Sequence, residues 1–387
     1  MSIQWKNWSG SQQHSAKQLA QPESITELSA LLGQARDEGL AVRPIGSAHS
    51  FVPFWTDDIL LSLDQMKGLV GVDAEKQQVT LLAGTKLHEI GLPLWDAGFS
   101  MINMGDIDRQ SIAGAIGTGT HGTGRSLKNI SSQLAAVQLV TASGDVMELT
   151  NDDGDLFKAA QVSMGTLGVI TQVTLNVLPA YHLVERNWTA SVAECGEALS
   201  QLIADNRHFE FFWDPGSDTC AMKTLNPVEA GFIDGENPVG PAYEIIPSAR
   251  DLEFNEIEFS VPYDAGWTCF LALRDLVQNK YPEVRWPVEY RTLAADDALL
   301  SSANGRETVT ISAHESNRRD HVAFFLDVEN LFREFDGRPH WGKVHTHEHP
   351  DLSGRLPGFD RFCEVRERLD PEGRFLNSFL RGIFGTG

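Results

Sequence analysis

The stretch Gly46-Ser-Ala-His-Ser-Phe51 sets a histidine among small residues, just after an apolar run (Leu40, Ala41, Val42) and Pro44. Small neighbours let a ligand come close to the backbone, and an imidazole placed there has the chemistry of a nucleophile. A second candidate is the glycine run 114–124, GAIGTGTHGTG, whose backbone N–H groups could point at phosphate oxygens at close range, with hydroxyls from Ser111, Thr118 and Thr120. Within it Gly117-Thr-Gly-Thr-His-Gly122 fits G-x-G-x-x-G. That fingerprint requires a helix opening through its last glycine, whereas Thr123-Gly-Arg-Ser126 and β-like sequence come next, so the dinucleotide reading is rejected and an anion-binding loop is kept. A third group lies towards the C-terminus. Read as a strand, Pro287-Val-Glu-Tyr-Arg291 puts Glu289 and Arg291 on one face. Thr308, Thr310, Ser312, His314 and Ser316 share one parity, and Lys343 and His345 share a face of an extended His340-Trp-Gly-Lys-Val-His345. A carboxylate between cations could take a proton, but the alternation on its own suits a solvent-facing strand better.

The elements that would carry these residues are mixed. Ser24-Ile-Thr-Glu27 reads as a capping box before a helix that ends at Gly39. Short β-like runs follow at 40–42, 59–63 and 79–83, then a helix-like stretch broken by Pro93. Residues 133–150 read as a hairpin around Ser143-Gly144-Asp145, and 168–178 alternate as a strand. From about 180 to 330 the sequence is more irregular, with an expected long loop at 226–248, a helix in GWTCFLALRDLV and strands at 287–293 and 308–314. A short helix, PGFDRFCEVRERL, lies near the C-terminus. The order favours an α+β fold. The division expected is 1–180, 181–330 and 331–387.

Composition narrows the class. Hydrophobic content of 42% allows a sizeable core, and a formal net charge of −22 argues against a broad nucleic-acid or anionic-membrane surface while permitting a local anion site. Cys195, Cys220, Cys269 and Cys363 are widely scattered and read as free thiols. The N-terminal MSIQWKNWSG has no apolar signal core, so a cytoplasmic location without membrane insertion is expected.

Several long motifs in one order carry a resemblance. Arg43-Pro-Ile-Gly-Ser-Ala-His-Ser-Phe51, Asn103-Met-Gly-Asp-Ile-Asp-Arg-Gln-Ser-Ile-Ala-Gly114, Thr118-Gly-Thr-His-Gly122 and Ser163-Met-Gly-Thr-Leu-Gly-Val-Ile170 resemble the FAD domain of vanillyl-alcohol-oxidase-type flavoproteins. Arg338-Pro-His-Trp-Gly-Lys-Val-His345 and Leu369-Asp-Pro-Glu-Gly-Arg-Phe-Leu-Asn377 continue the likeness towards aldonolactone and alditol oxidases. The resemblance implies a two-part FAD-binding domain (PCMH-type) with a cap domain for substrate. It implies FAD bonded through His49 and contacted by Pro44, Ile45, Gly46, Ser47, Ala48, Ser50, Gly105, Asp106, Ser111, Gly114, Ala115, Ile116, Gly117, Thr118, His121 and Ile170. Glu289, Arg291 and Lys343 take the catalytic positions, and the same three with Asp106 and Ser316 bind substrate.

The reaction implied is oxidation of a CH–OH group, hydride passing to flavin N5 and electrons to dioxygen, which leaves as hydrogen peroxide. Gly105, as a small residue, favours access of oxygen. An aldono-1,4-lactone of the D-arabinonolactone or L-gulonolactone type is the expected substrate. Asp106 fits that choice, whereas Arg291-Thr-Leu-Ala-Ala-Asp-Asp297 and the HWGKV segment lean towards a polyol such as xylitol or sorbitol. A dehydrogenase using another acceptor is a further alternative. His345-Thr-His-Glu-His349 suggests a rival, since on a strand its three histidines would share a face and could hold a metal. Pro350 comes immediately after, and no metal is expected.

Overall fold

The computed structural model describes residues 2–248 and 252–385. The strand Val42–Ile45 runs parallel to Ile59–Ser62, which also pairs with Gln18–Ala20, and it delivers the chain straight into the histidine loop. The helix Ile25–Glu38 packs into the same core as this small sheet. Ser24 caps it by accepting from the Glu27 N–H, Gly39 ends it at φ 72°, and Leu28, Leu32 and Ala35 bury one stripe at i, i+4, i+7. An antiparallel sheet follows in the order Val146–Thr150, Leu134–Val140, Val169–Pro179, Gln78–Leu82, Leu69–Asp73, with Phe99–Met101 beside the third strand. The 134–140 and 146–150 strands form the expected hairpin. The helix Leu87–Asp96 carries Pro93 inside it and is not broken there. It ends instead three residues later, before Gly98 at φ 85°.

The stretch 180–330 is far more regular than expected. Seven strands from it and one from beyond it build an eight-stranded sheet in the order 239–241, 182–191, 219–228, 208–214, 288–293, 308–316, 254–262, 338–339. Its two short outer strands are Val239–Pro241 and Arg338–Pro339. Residues 226–248 are not one long loop, because Val239–Pro241 pairs with His182–Val184 and a turn of helix, Ala242–Ile245, comes next. Proline is tolerated on such an edge.

One face of the sheet is apolar. Phe209, Phe211, Trp213, Ile257, Phe259, Val261, Tyr290, Ile311 and Ala313 pack into one core with the helices Val192–Asp205, Gly266–Lys280 and Val322–Glu334. The other face carries Glu210, Glu256, Glu258, Glu289, Arg291, Ser312 and His314, yet each of these is also buried. The polar face is therefore no solvent-facing surface, and looks onto the first part of the chain.

The C-terminal residues close the structure. Phe359, Phe362, Leu380, Ile383 and Phe384 join the same core as residues 20–177. Arg43, 1% exposed, donates to the carbonyls of Phe375 (2.7 Å) and Met164 (2.8 Å), tying three segments behind the histidine loop. Burial lowers its pKa to about 9. Segment 340–345 is a turn rather than a strand. Beyond Pro339, His340 N–H still reaches Glu258 O (3.0 Å), and then Lys343 N–H turns back to His340 O (3.0 Å) and Val344 N–H bonds Glu256 O (2.9 Å). No described helix is long and apolar enough to cross a membrane.

Candidate active site

The histidine loop lines an open cleft. Pro44, Ile45, Gly46, Ser47, Ala48, His49 and Ser50 form one wall, and Ser111, Gly114, Gly117, Thr118, Gly165 and Ile170 another. Close backbone packing explains the small residues. A Cβ on Gly46 would lie 2.3 Å from Ser111 Oγ, and one on Gly165 (φ 65°) 2.6 Å from Pro44 Cγ. Ala48 holds φ at 56°, uncommon for a residue with a Cβ, and so turns the chain just before His49. The His49 ring stacks on Trp8, centroids 5.4 Å apart at 27°. Burial, then the charges of Lys343, Lys86 and Arg109, lower its pKa to about 4, so the ring is neutral at physiological pH.

The glycine run has two halves. Its first residues belong to the helix Ile112–Thr118, capped by Ser111 accepting from the Gly114 N–H, and Gly119 (φ 74°) ends it. The G-x-G-x-x-G pattern thus starts where a helix stops, the reverse of the dinucleotide arrangement. Ala115 and Ile116, both 0% exposed, are on the buried side of this helix and do not line the cleft.

A second cleft of about 1520 Å³ lies over the polar face of the large sheet, and Gln110 lines both. Gly105, Asp106 and His121 line this second cleft rather than the first. So do Glu289, Arg291 and Lys343. Ser316 lies two residues past His314 and outside the lining, its Oγ accepting from Arg318 N–H. The histidine loop and the lysine turn are fastened together, since Phe51 N–H donates to Gly342 O at 2.7 Å.

Charges here are matched in pairs. Arg291 Nε donates to Glu210 (2.8 Å), and its Nη2 reaches Glu289 and, at 3.2 Å, Asp106. Burial pushes the Glu289 carboxyl well above the usual range, against the opposing pull of Arg291. Lys343 Nζ contacts Glu256, whose other oxygen is 3.6 Å from His314 Nε2. Burial opposes ionisation of Glu256 and Glu258, but cationic neighbours win and hold both below the ordinary carboxylate range. His121 has an oxygen on each side, Gly122 O at 2.8 Å and Glu258 Oε1 at 2.6 Å. The carbonyl only accepts, so Nδ1 donates to it, and Nε2 faces Glu258 across a short hydrogen bond.

Among the described residues three buried groups have the spacing of metal ligands: His121, Glu258, His340; Glu256, Glu289, His314; and Asp106, Glu210, Glu289. The first is unsuited. His340 Nδ1 accepts from Gly342 N–H (3.0 Å), so the neutral ring keeps its proton on Nε2, and Glu258 is already bonded to His121 and Ser312. The other two share Glu289 and contain Lys343 or Arg291 contacts in place of free carboxylates. Nor do the histidines of 345–349 converge. His347 bonds Glu329 (2.9 Å), and His349 opens a helix.

Glu210, Glu256, Glu258 and His340 join the site without being expected there from sequence. The alternation in Glu256-Ile-Glu-Phe-Ser260 and His208-Phe-Glu-Phe-Phe212 is the signal that could have found the three glutamates.

Comparison with known proteins places the chain. An FAD-binding-domain profile matches residues 16–150, and the D-arabinono-1,4-lactone oxidase profile matches 173–232 and 229–383. The chain belongs to that family. It is an FAD-dependent oxidoreductase. Among its relatives, L-gulono-1,4-lactone dehydrogenase of Mycobacterium tuberculosis is 33% identical over the whole of both chains. Mouse L-gulonolactone oxidase is 28% identical over 99% of this chain and 98% of its own. Alditol oxidase of Streptomyces sp. is 28% identical over 99% of each. The fold matches cholesterol oxidase from B. sterolicum with a TM-score of 0.87 at 13% identity, covering 99% and 97% of the two chains.

The residues fit FAD. Ser47 Oγ is buried in the first cleft without a protein partner, and the Gly46 backbone opposite Ser111 leaves no room for a side chain. A pyrophosphate would accept from such donors.

Proposed function

We propose that this protein oxidises a CH–OH group of an aldono-1,4-lactone of the D-arabinonolactone or L-gulonolactone type, with dioxygen as the acceptor. The observation that carries the reading is the adjacency of the two clefts, where the His49 loop of the first is bonded to the Lys343 turn of the second and the buried Glu289–Arg291 pair lines the second. FAD, when bound, supplies the hydride acceptor and passes the electrons on to dioxygen. His49, neutral and beside Trp8, is suited to hold it covalently. Ser47, Ser50, Ser111, Gly114, Gly117 and Thr118 hold its phosphates.

Glu289 takes the proton of the substrate hydroxyl. Its raised pKa brings it closer to the working pH, where a base is most effective. Arg291 is held by Glu210 and Asp106, so that it orients the hydroxyl oxygen and offsets charge that develops there. Lys343, braced by Glu256, does the same from the opposite wall. Asp106 makes the cleft a poor host for anions, which favours the neutral lactone over its hydrolysed acid. Gly105 adds no side chain to the wall of the second cleft, which favours access of oxygen. The protein works in the cytoplasm.

A polyol is the second reading, supported by the ring of paired carboxylates, which can accept hydrogen bonds from several hydroxyls. Purified protein offered lactones and polyols, with peroxide detection, separates the two. Turnover of polyols alone would overturn the lactone choice, and turnover only with an artificial acceptor would overturn the oxidase choice.

A further inference from the structure

Behind Arg291, sharing Asp106 with the wall of the substrate cleft, lies a small cavity bounded by Met104, Asp106, His208, Glu210, Lys223 and Ile246, with room for about one water molecule. Two polar atoms on its wall lack hydrogen-bond partners among the described residues, His208 Nε2 and Glu210 Oε1. Their residues are 2% and 3% exposed. Lys223 Nζ comes to 3.2 Å of Glu210 Oε1 but not in hydrogen-bonding alignment.

Donors and acceptors on this wall leave little choice. His208 Nδ1 donates to Thr123 O at 2.9 Å, so its neutral ring presents a lone pair at Nε2. Burial, with Arg207 and Lys223 nearby, lowers the ring's pKa to about 3, so Nε2 stays an acceptor across the physiological range. Glu210 Oε1 is also an acceptor. A group filling the cavity must therefore offer two hydrogens and accept one from a lysine. Water does this, and each partner it satisfies would otherwise be a costly buried orphan. A metal ion is opposed by the lysine ammonium.

We propose that this cavity is a binding site for one ordered water, donating to His208 Nε2 and Glu210 Oε1 and accepting from Lys223 Nζ. The water holds Glu210 so that its other oxygen, Oε2, stays on Arg291 Nε and the guanidinium points at the substrate. His208, with no reach into the substrate cleft, is then a positioning residue for Arg291. The role of Arg291 comes from the function proposed above, but the water itself does not depend on it.

Two measurements test this. In a high-resolution crystal structure of the flavin-loaded protein, a density peak about 2.6–3.2 Å from all three atoms is expected. An empty cavity, or a peak at the ~2.0–2.4 Å of a bound cation, would overturn the proposal. In kinetics with L-gulono-1,4-lactone, His208→Leu should lower kcat/KM about tenfold, with kcat sharing in the loss. His208→Gln, which keeps one donor and one acceptor, should restore kcat/KM to within about threefold of the parent. Equal behaviour of the two variants would count against a positioning role. If the protein holds no flavin and oxidises nothing, the proposed function fails while the density result still stands; an active enzyme with a dry cavity sinks only the water.

Discussion

Replacing Gly46 by alanine tests the architecture of the cofactor cleft at its tightest point. The new Cβ would sit 2.3 Å from Ser111 Oγ but 3.5 Å from Ser111 Cβ and 3.9 Å from Gly114 Cα. The clash is thus with one hydroxyl, and that hydroxyl caps the helix Ile112–Thr118. Displacing it removes the cap, about 1 kcal/mol, and the residual crowding adds about 1–2 kcal/mol. Ser111→Ala alone costs only the cap, about 1 kcal/mol. In Gly46→Ala/Ser111→Ala the offending atom is gone and the neighbours are at ordinary contact distance, so the double variant should match Ser111→Ala rather than the sum. Urea unfolding of flavin-stripped protein in a His49→Ala background gives the four stabilities without a contribution from ligand binding. Additive losses, with no coupling beyond about 0.5 kcal/mol, would refute the packing argument.

Four further outcomes are expected. His49→Ala should leave flavin that acid precipitation releases into the supernatant, and attachment to the parent apoprotein should proceed at an even rate from pH 5 to 8. The ring's pKa is lowered to about 4, so the neutral form is complete over that window; a rate that falls away below pH 7 would show an ordinary histidine. Glu289→Gln should slow anaerobic flavin reduction by about 10²–10⁴-fold. It should also remove a limb that, in the parent, drops as pH falls through a carboxyl pKa above the ordinary range; an unchanged pH profile would remove Glu289 as the base. Lys343→Met leaves the Glu256 carboxylate buried without its cation, at a cost of about 3–5 kcal/mol, which Lys343→Met/Glu256→Gln should largely recover in urea unfolding. A Cβ at position 105 would come within 3.1 Å of His121 O, so Gly105→Ala should slow reoxidation by dioxygen while leaving reduction by substrate within about threefold, read by stopped-flow absorbance.

Legibility in the sequence tracks the range of the interactions. Local signals are enough for the helix Ile25–Glu38, with its Ser24 cap and Gly39 stop, and for the 134–150 hairpin. The glycine run can be judged from Thr123-Gly-Arg-Ser126, which cannot open the helix a dinucleotide site needs. The large sheet is largely hidden because its order joins strands far apart in the chain, such as Phe254–Pro262 beside Thr308–Ser316. Glu256 and Glu258 alternate with Ile257 and Phe259 as on a solvated strand, and only the opposing segments bury them. The Lys343 turn reads as extended from its residues alone, since its shape comes from backbone bonds to Glu256 and His340. Pro93 marks the approach to a helix end, not a break.

The most direct test of the central claim is to mix the purified yellow protein anaerobically with L-gulono-1,4-lactone and record the flavin absorbance. Rapid bleaching is predicted, with colour returning when air is admitted. Protein that takes up no FAD, or a bound flavin that stays oxidised with every lactone and polyol offered, would contradict it.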